Sequence, residues 1–492
     1  MLTTHLAIDF GAESGRAVLG TFNGRVLQHE EIHRFPTGII TIEGRNHWDI
    51  LRFFEEIKSA IQKTGKIVNG RLNTIGIDTW GVDYALFDRD GNMSTLPFSY
   101  RDSRTQNAMA ELATELELRK VYDLTGIQLL PVNTLFQLYS EKRSTPETLL
   151  KASDLLFIPD VLYFYLTGIK VTEFTFATTS QLFNPIKMDW EDELLHLAGI
   201  NRTIMQNVIL PCTTLGYLNK DLRGTGSLSE TLVVAPATHD TASAIAAIPA
   251  EGNDWAFIST GTWALVGVEV KKPVINDLTY RYNITNEGGI EGFRLLKNMM
   301  GLWLLQGCRK AWGENTYPYE RLLYMAEESP PFRFFINPDH NVFFNPDDMP
   351  AAIELYCRVT GQQQPKSKAV IVRGIIESLA FKTRMILDQI SEATSKKINR
   401  IYLTGGGVHN KLLCQSISNA TGLPVFSTFT ESTAIGNLMG QLIANGRLKN
   451  LSEARALLRY HSKPCEYQPA QLFKYANVYD KFKEVISKES NI

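Results

Sequence analysis

Asp240 stands directly after His239 and before the small-residue run Thr241, Ala242, Ser243, Ala244, Ile245 and Ala246, a few residues beyond the apolar stretch Leu232 to Ala235. The order predicts a strand followed by a helix, with Asp240 at the N-cap or in the first turn. Capping alone accounts for an Asp there. A carboxylate at a helix N-terminus beside a phosphate site can also accept a proton from a substrate hydroxyl. His239 reads as a core or hydrogen-bonding residue rather than a metal ligand, because no second His lies at ligand spacing. Asp9 ends the apolar run Leu6 to Phe10 and is followed by Gly11, Ala12, Glu13, Ser14, Gly15 and Arg16. Backbone N–H groups of such a loop, with the Ser14 hydroxyl, can coordinate phosphate oxygens, while a strand-end carboxylate can hold a hydrated Mg²⁺. The plain alternative is a hairpin turn with a solvated Asp.

Two further segments carry the same kind of chemistry. Ser259, Thr260, Gly261 and Thr262 form a second small-residue loop between apolar runs. Gly405, Gly406 and Gly407 follow another apolar run and lead through His409 and Asn410 into a helical pattern, which suits close backbone approach to an adenine or an α-phosphate; a strand-to-helix turn is the alternative. Thr79, Trp80, Gly81, Val82 and Asp83, and then Tyr100 to Arg104, offer aromatic faces beside polar forks, as sugar-binding walls do, although a Trp is more often core. Other phosphate motifs are missing: there is no GxxxxGK[ST] and no GxGxxG, and Asp9-Phe10-Gly11 has none of the other segments of a protein kinase.

The elements that must position these residues can be read from periodicity. Leu6 to Phe10, the loop to Gly15, and Arg16 to Gly20 make a strand, loop and strand. A helix follows the Trp48-Asp49 start through Phe53, Ile57 and Ile61, and strands are expected at 73–78 and 84–87. Asp88 to Asn92 read as a hairpin turn rather than a calcium loop, which would need a further acidic ligand and a distal Glu. From about 103 to 230 the pattern is mostly helical and reads as an insertion. Trp255 to Ile258 and Trp263 to Val268 then repeat the opening hairpin, so the chain is expected to be α/β, built as two related halves, 1–246 and 247–492, facing one another across a cleft. Whether the last helix returns to the first half stays open.

Composition removes several classes. Among 492 residues, 50 Lys+Arg against 52 Asp+Glu leave a net charge of −2, without a basic block for nucleic acid or an anionic membrane. The five cysteines are odd in number and far apart, which reads as reduced thiols, and no signal peptide or membrane helix is expected, so the default location is cytoplasmic.

The segments AIDFGAESGR, GIDTWGVD, YRDSRT, THDTASA, STGTWAL, NITNEGG, LKNMMGLWLLQ and TGGGVHN, in this order along nearly the whole chain, resemble the FGGY carbohydrate kinases of the actin and heat-shock-ATPase superfamily. TWGVD, NITNEGG and LKNMMGLWLLQ narrow the resemblance to the members acting on L-rhamnulose. It implies two RNase-H-like (actin-like ATPase) domains with a catalytic cleft between them, and transfer of the ATP γ-phosphoryl group to O1 of L-rhamnulose, with Mg²⁺ required. By motif, Asp240 matches the general base and Asp9 the acid near the metal, through water. Ala12, Glu13, Ser14, Gly15, Arg16, Thr262, Gln306 and Gly406 fall on nucleotide positions, with Asn410 near the adenine. Gly81, His239, Asp240, Thr241 and Asn298 fall on sugar positions. Gln306 and Asn298 rest on the resemblance alone. The family usually carries a small residue where this chain has Glu13; an anion beside triphosphate would be repelled, so Glu13 is expected to point to solvent. A kinase for another ketose, such as L-fuculose or D-xylulose, and a non-catalytic sugar sensor are the alternatives.

Overall fold

The opening run Thr3–Phe10 (β1) turns at Gly11 and returns antiparallel as Ser14–Phe22 (β2), which pairs in turn with Leu27–Pro36 (β3). The structure is a computed structural model and describes residues 2–68, 70–223 and 226–491. Helix α1 (Ile50–Ile67) follows. Asp49 caps it, accepting from the Arg52 N–H at 3.1 Å, and Ile50, Phe53, Ile57, Ala60 and Ile61 face inward at helical spacing. Thr74–Thr79 (β4) runs parallel to β1, and both are buried along almost their whole length, as central parallel strands require. Thr213–Tyr217 (β5) and Leu232–Ala235 (β6) complete a six-stranded sheet in the order β5-β6-β4-β1-β2-β3. Asp240–Ala246 (α2) follows β6.

The second half repeats this plan. Trp255–Thr260 (β7) and Trp263–Val270 (β8) form the antiparallel hairpin, and Thr285–Gly288 (β9) and Phe293–Met300 (β10) follow. Trp303–Trp312 (α3) and the long helix Lys368–Thr394 (α4) lead to Arg400–Gly405 (β11), parallel to β7. Lys411–Thr421 (α5) then connects to Val425–Ser427 (β12), parallel to β11. With Cys465–Tyr467 (β13) the sheet order is β9-β10-β8-β7-β11-β12-β13. Thus β3-β2-β1-β4-β6 in one sheet corresponds to β10-β8-β7-β11-β12 in the other, and the duplication expected from the two hairpins is present.

The chain forms two compact units, Met1–Glu251 with Glu269–Leu295 and Glu431–His461, and Gly252–Val268 with Leu296–Thr430 and Ser462–Ile492. These differ from a single cut near residue 246. The helix Ser432–Ala444 (α6) belongs to the first unit because its polar residues satisfy buried groups of the first sheet. Gln441 Nε2 donates to the Leu6 carbonyl at 3.0 Å, Thr74 donates to Gln441 Oε1 at 2.6 Å, and Asn437 Nδ2 donates to Asp78. The last long helix, Leu472–Ser487 (α7), lies in the second unit, where Tyr479 stacks on Phe381 at 5.9 Å and its hydroxyl donates to Asp388 at 3.1 Å.

The stretch 103–230 is less helical than expected. Short strands at Asp154–Phe157, Thr172–Glu173, Phe183–Asn184, Asp189–Trp190 and Val208–Ile209 alternate with its helices. Two-residue strands carry too little alternation to read from a sequence, and β5 is broken by an irregularity between Thr214 and Gly216. Asp88 closes its own turn by accepting from the Asp90 and Asn92 N–H groups, both at 2.9 Å. The strand before it, Tyr84–Phe87, takes Asp154–Phe157 as its ladder partner. All five cysteines are free, and no helix among the described residues is long and apolar enough to cross a membrane.

Candidate active site

In the first unit the β1–β2 hairpin sets Asp9 opposite Arg16 and Phe10 opposite Gly15. Gly15 is obligatory for packing, since a Cβ there would lie 2.2 Å from the Phe35 ring. Thr37 ties the loop down, its hydroxyl donating to the Gly11 carbonyl at 2.6 Å and its N–H to the Glu13 carbonyl at 3.3 Å. Ala12, Glu13 and Ser14 line the accessible side. The Glu13 side chain is 58% exposed, with Arg101 3.9 Å away, so its carboxylate does point to solvent. The Arg16 guanidinium lies 3.4 Å from Asp9 and also pairs with Glu431, which precedes α6. Nothing near Glu431 in the chain foretold that contact.

Asp9 and Asp78 are register partners on adjacent parallel strands. Both carboxyls are buried, and both are pushed up, Asp78 well above the usual range, by burial first and then by the Asp9 charge. Burial is also the main cause for Asp9, opposed by Arg16. Asp78 Oδ2 accepts from Asn437, while its Oδ1 is buried without a hydrogen bond. Next to them a parallel bridge joins Thr79 to His239, so the loop after β6 arrives at the end of β4. Asp240 is the first residue of α2, in the first-turn position expected for it, and accepts from the Thr241 hydroxyl at 3.0 Å. Burial, then the nearby Asp9 charge, raise its pKa to about 7.

The loop that carries Asp240 is fixed by Glu173, a residue the sequence did not flag. Its carboxylate accepts from the Thr238 N–H at 2.9 Å, the Thr238 hydroxyl at 2.8 Å and the Thr175 N–H at 2.9 Å, and Thr175 in turn accepts from the His239 N–H at 3.2 Å. The His239 ring meets Arg294 and Glu287 on one side and Asp240 on the other. Gly81 lies against it: a Cβ on Gly81 would be 3.4 Å from His239 Nε2 and 3.2 Å from the Thr179 hydroxyl. Gly81, His239, Asp240 and Thr241 are therefore gathered at one place.

Trp80 takes the core place that is the commoner one for a Trp rather than a place in a sugar-binding wall. Trp80 is buried, packed against Trp48 with ring centroids 4.1 Å apart and planes tilted by 37°, and its indole N–H donates to Asp83 at 2.9 Å. Asp83 also accepts from the Trp48 indole at 2.6 Å, Gln137 at 2.9 Å and the Tyr100 N–H at 3.1 Å. Burial outweighs these four donors and lifts its pKa to about 6. An apolar ring with one N–H finds both needs met in the core, which is why Trp80 turns inward.

In the second unit the β7–β8 hairpin places Thr260 opposite Ala264. The Thr260 hydroxyl donates to the Thr404 carbonyl and accepts from the Gly407 N–H, each at 3.0 Å. Gly407 has no room for a side chain, since a Cβ would lie 2.2 Å from Thr260 Oγ1, and Gly405 adopts φ +84°. Gly406 lies between them, at the start of a short helical turn. The Thr262 carbonyl accepts from Gly301 at 3.0 Å and Trp303 at 3.2 Å, joining this hairpin to the start of α3. One turn on, Gln306 Oε1 is buried without a hydrogen bond. Asn410 caps α5, its carboxamide oxygen accepting from the Leu413 N–H at 2.9 Å. Asn298 lies on β10, half-buried, next to Lys297, whose ammonium burial lowers to about 8. Each unit thus presents its own cluster, acidic in the first and built from hydroxyls, glycines and amides in the second.

Family models for the FGGY family of carbohydrate kinases match residues 4–247 as the N-terminal domain and 256–445 as the C-terminal domain, and the chain belongs to that family. The relatives sharpen the comparison. A rhamnulokinase of Bacteroides thetaiotaomicron is 40% identical over 490 residues, covering 99% of this chain and 100% of the relative. One from Enterococcus faecalis is 39% identical, covering 93% and 92%, and one from Bacillus subtilis is 37% identical, covering 92% and 93%. The fold is that of a xylulose kinase from Lactobacillus acidophilus, with a TM-score of 0.83 at 18% identity over 99% of this chain and 98% of that one. A Plasmodium falciparum glycerol kinase solved with ADP gives 0.78 at 14% identity over 99% and 98%.

Proposed function

We propose that this chain transfers the γ-phosphoryl group of ATP to the O1 hydroxyl of L-rhamnulose, giving L-rhamnulose 1-phosphate and ADP. The observation that carries the reaction type is Asp240: a first-turn carboxylate of α2 with a pKa raised to about 7, which accepts from the Thr241 hydroxyl and lies 3.4 Å from His239 Nε2. A base poised near neutral pH can take a hydroxyl proton as the O–P bond forms. The choice of sugar is supported by the rhamnulokinases that align along nearly the whole chain.

In this reading Asp240 takes the O1 proton late, because phosphoryl transfer passes through a loose transition state in which positioning and charge neutralisation dominate. Gly81, His239, Thr241 and Asn298 hold the sugar. The loop Ala12, Glu13, Ser14, Gly15 and Arg16 approaches the phosphates with backbone N–H groups and the Arg16 guanidinium, while Thr262, Gln306, Gly406 and Asn410 belong to the nucleotide side. The buried, unsatisfied Gln306 Oε1 fits an incoming donor such as an amine or ribose hydroxyl. Among the described residues no three acidic, His or Cys side chains form a ready metal cage. The donor set fits a hydrated ion instead, since Asp9 and Asp78 face each other with one buried carboxyl oxygen left unbonded. Mg²⁺ bound there through water, with Asp9 as the holding carboxylate, would neutralise phosphate charge.

The test is ADP release with Mg·ATP against L-rhamnulose, L-fuculose, D-xylulose and glycerol, compared as kcat/KM. A preference for L-rhamnulose of at least about 100-fold is expected, because a site that hydrogen-bonds each hydroxyl leaves polar groups unpaired with an epimer. A preference for another ketose overturns the sugar and leaves the reaction type; sugar-independent ADP release overturns both.

A further inference from the structure

Among the described residues Arg294 is the largest charged side chain sealed inside the first unit, 1% exposed. It sits on β10 with its Nε donating to the Gly288 carbonyl at 2.8 Å and its Nη2 3.2 Å from Glu287. The same Nη2 lies 3.0 Å from Nδ1 of His239. Guanidinium has five N–H donors and no acceptor, so a contact at this distance requires a lone pair on the imidazole nitrogen. Nδ1 is therefore bare, and a neutral ring then carries its proton on Nε2. That nitrogen lies 3.4 Å from Asp240 Oδ1, and a Cβ on Gly81 would stand 3.4 Å from it.

We infer that Arg294 is a positioning residue, holding His239 as the neutral Nε2–H tautomer so that the ring presents a fixed donor to a substrate hydroxyl next to Asp240. This rests on the reading of Gly81, His239 and Asp240 as the sugar site. The groups facing the ring are Arg294, Glu287 and Asp240, and Glu173 and Glu269 add their charge to Arg294 from farther off. Glu287 lies 3.5 Å from Nδ1 and on its own would favour the opposite tautomer, with Nδ1–H donating to it. Arg294, at 3.0 Å, prevents that by placing a donor there first. Burial and the Arg294 charge both keep the ring from taking a second proton, in line with a His239 pKa held well below the usual imidazole range. The arrangement suits a kinase site in which the only proton acceptor should be Asp240: a His with a bare Nε2 would compete with the carboxylate for the hydroxyl proton, whereas an Nε2–H donor orients the hydroxyl oxygen and leaves its proton to Asp240.

The experiment is ¹⁵N NMR of the full chain labelled with [¹⁵N]histidine, with the His239 signals assigned by their loss in His239→Gln. At pH 7 the wild type should show a protonated Nε2 and a bare Nδ1. Arg294→Met should shift the ring towards the Nδ1–H form paired with Glu287, and Arg294→Lys, which still donates, should keep Nε2–H. In steady-state kinetics Arg294→Met should raise KM for the sugar about 10-fold, the worth of one misdirected hydrogen bond, with KM for ATP unchanged. A wild-type ring protonated at Nδ1, or at both nitrogens, overturns the inference, and so does an unchanged tautomer in Arg294→Met. Should Arg294→Met fail to fold, the wild-type spectrum and Arg294→Lys decide alone. An Nε2–H ring in a protein that phosphorylates no ketose leaves the Arg294–His239 relation standing and removes the sugar reading.

Discussion

The two hairpins of this chain share a backbone plan and differ in chemistry. In the first sheet β1 and β4 bring Asp9 and Asp78 into register, and in the second β7 and β11 bring Ser259 and Thr404 into the matching place. One strand end therefore carries two buried carboxyls, both raised by burial and Asp78 further by the Asp9 charge, and its counterpart carries two hydroxyls with a neighbouring glycine triplet. A carboxyl pair in a buried position is unfavourable without a cation and is kept for chemistry. Hydroxyls and glycines cost little and offer neutral donors and close backbone approach, which suits holding a ligand rather than reacting with it. The duplicated scaffold has thus diverged in chemistry by side chain alone.

Asp240→Asn has the largest expected effect: kcat should fall on the order of 10² to 10⁴ while the sugar still binds, as read by initial rates and calorimetry. Near-normal turnover would erase the distinction between the reactive and the holding cluster. Next, transplanting acid into the second sheet with Thr404→Asp should lower stability by about 3–5 kcal/mol in denaturant titration. Thr404 is fully buried and donates to the Phe429 carbonyl at 3.0 Å, which a carboxylate cannot do. A tolerated Thr404→Asp would mean that the second strand end accepts acid as readily as the first.

The same comparison has a pH signature. The folded-state pKa of Asp240, about 7, lies above the unfolded value near 3.8, so the folded chain binds this proton more tightly. Stability from this group is present at low pH and is lost as pH rises through that window. Asp240→Asn should therefore melt higher than the wild type at pH 8, on the order of a few °C, with a smaller gap at pH 5. A gap that widens at pH 5 would contradict the sign. The smallest expected effect separates the two turns: Gly11→Ala, whose Cβ would meet the Ser14 carbonyl at 3.0 Å, should cost about 1 kcal/mol, and Gly261→Ala, with 3.9 Å to the Trp263 carbonyl, should stay within about 0.5 kcal/mol. Equal losses at the two positions would show that the turns are packed alike.

Local features were legible in the sequence. The two hairpins, the α1 start at Asp49, the first-turn place of Asp240 and the tight glycine triplet all follow from neighbours within a few residues, where periodicity, capping and turn chemistry operate. What escaped depends on partners distant in the chain. Glu431 pairs with Arg16 across 415 residues, Asn437 reaches Asp78 across 359, and Arg294 reaches His239 across 55. A helix of small and apolar residues such as α6 gives no local sign that its Asn437 and Gln441 answer polar groups on the first sheet. Trp80 is a local case: the Asp83 that satisfies its indole stands only three residues away, and the ring lies in the core, as a Trp more often does.

The most direct test of the central claim is the identity of the product. The protein is incubated with Mg·ATP and L-rhamnulose, and ³¹P NMR follows the appearance of a phosphomonoester in wild type and in Asp240→Asn. The account predicts a signal coupled to the two C1 protons, growing in step with ADP, and slowed at least about 100-fold in the variant. Phosphate on another hydroxyl, no phosphomonoester at all, or equal rates in the two proteins would contradict it.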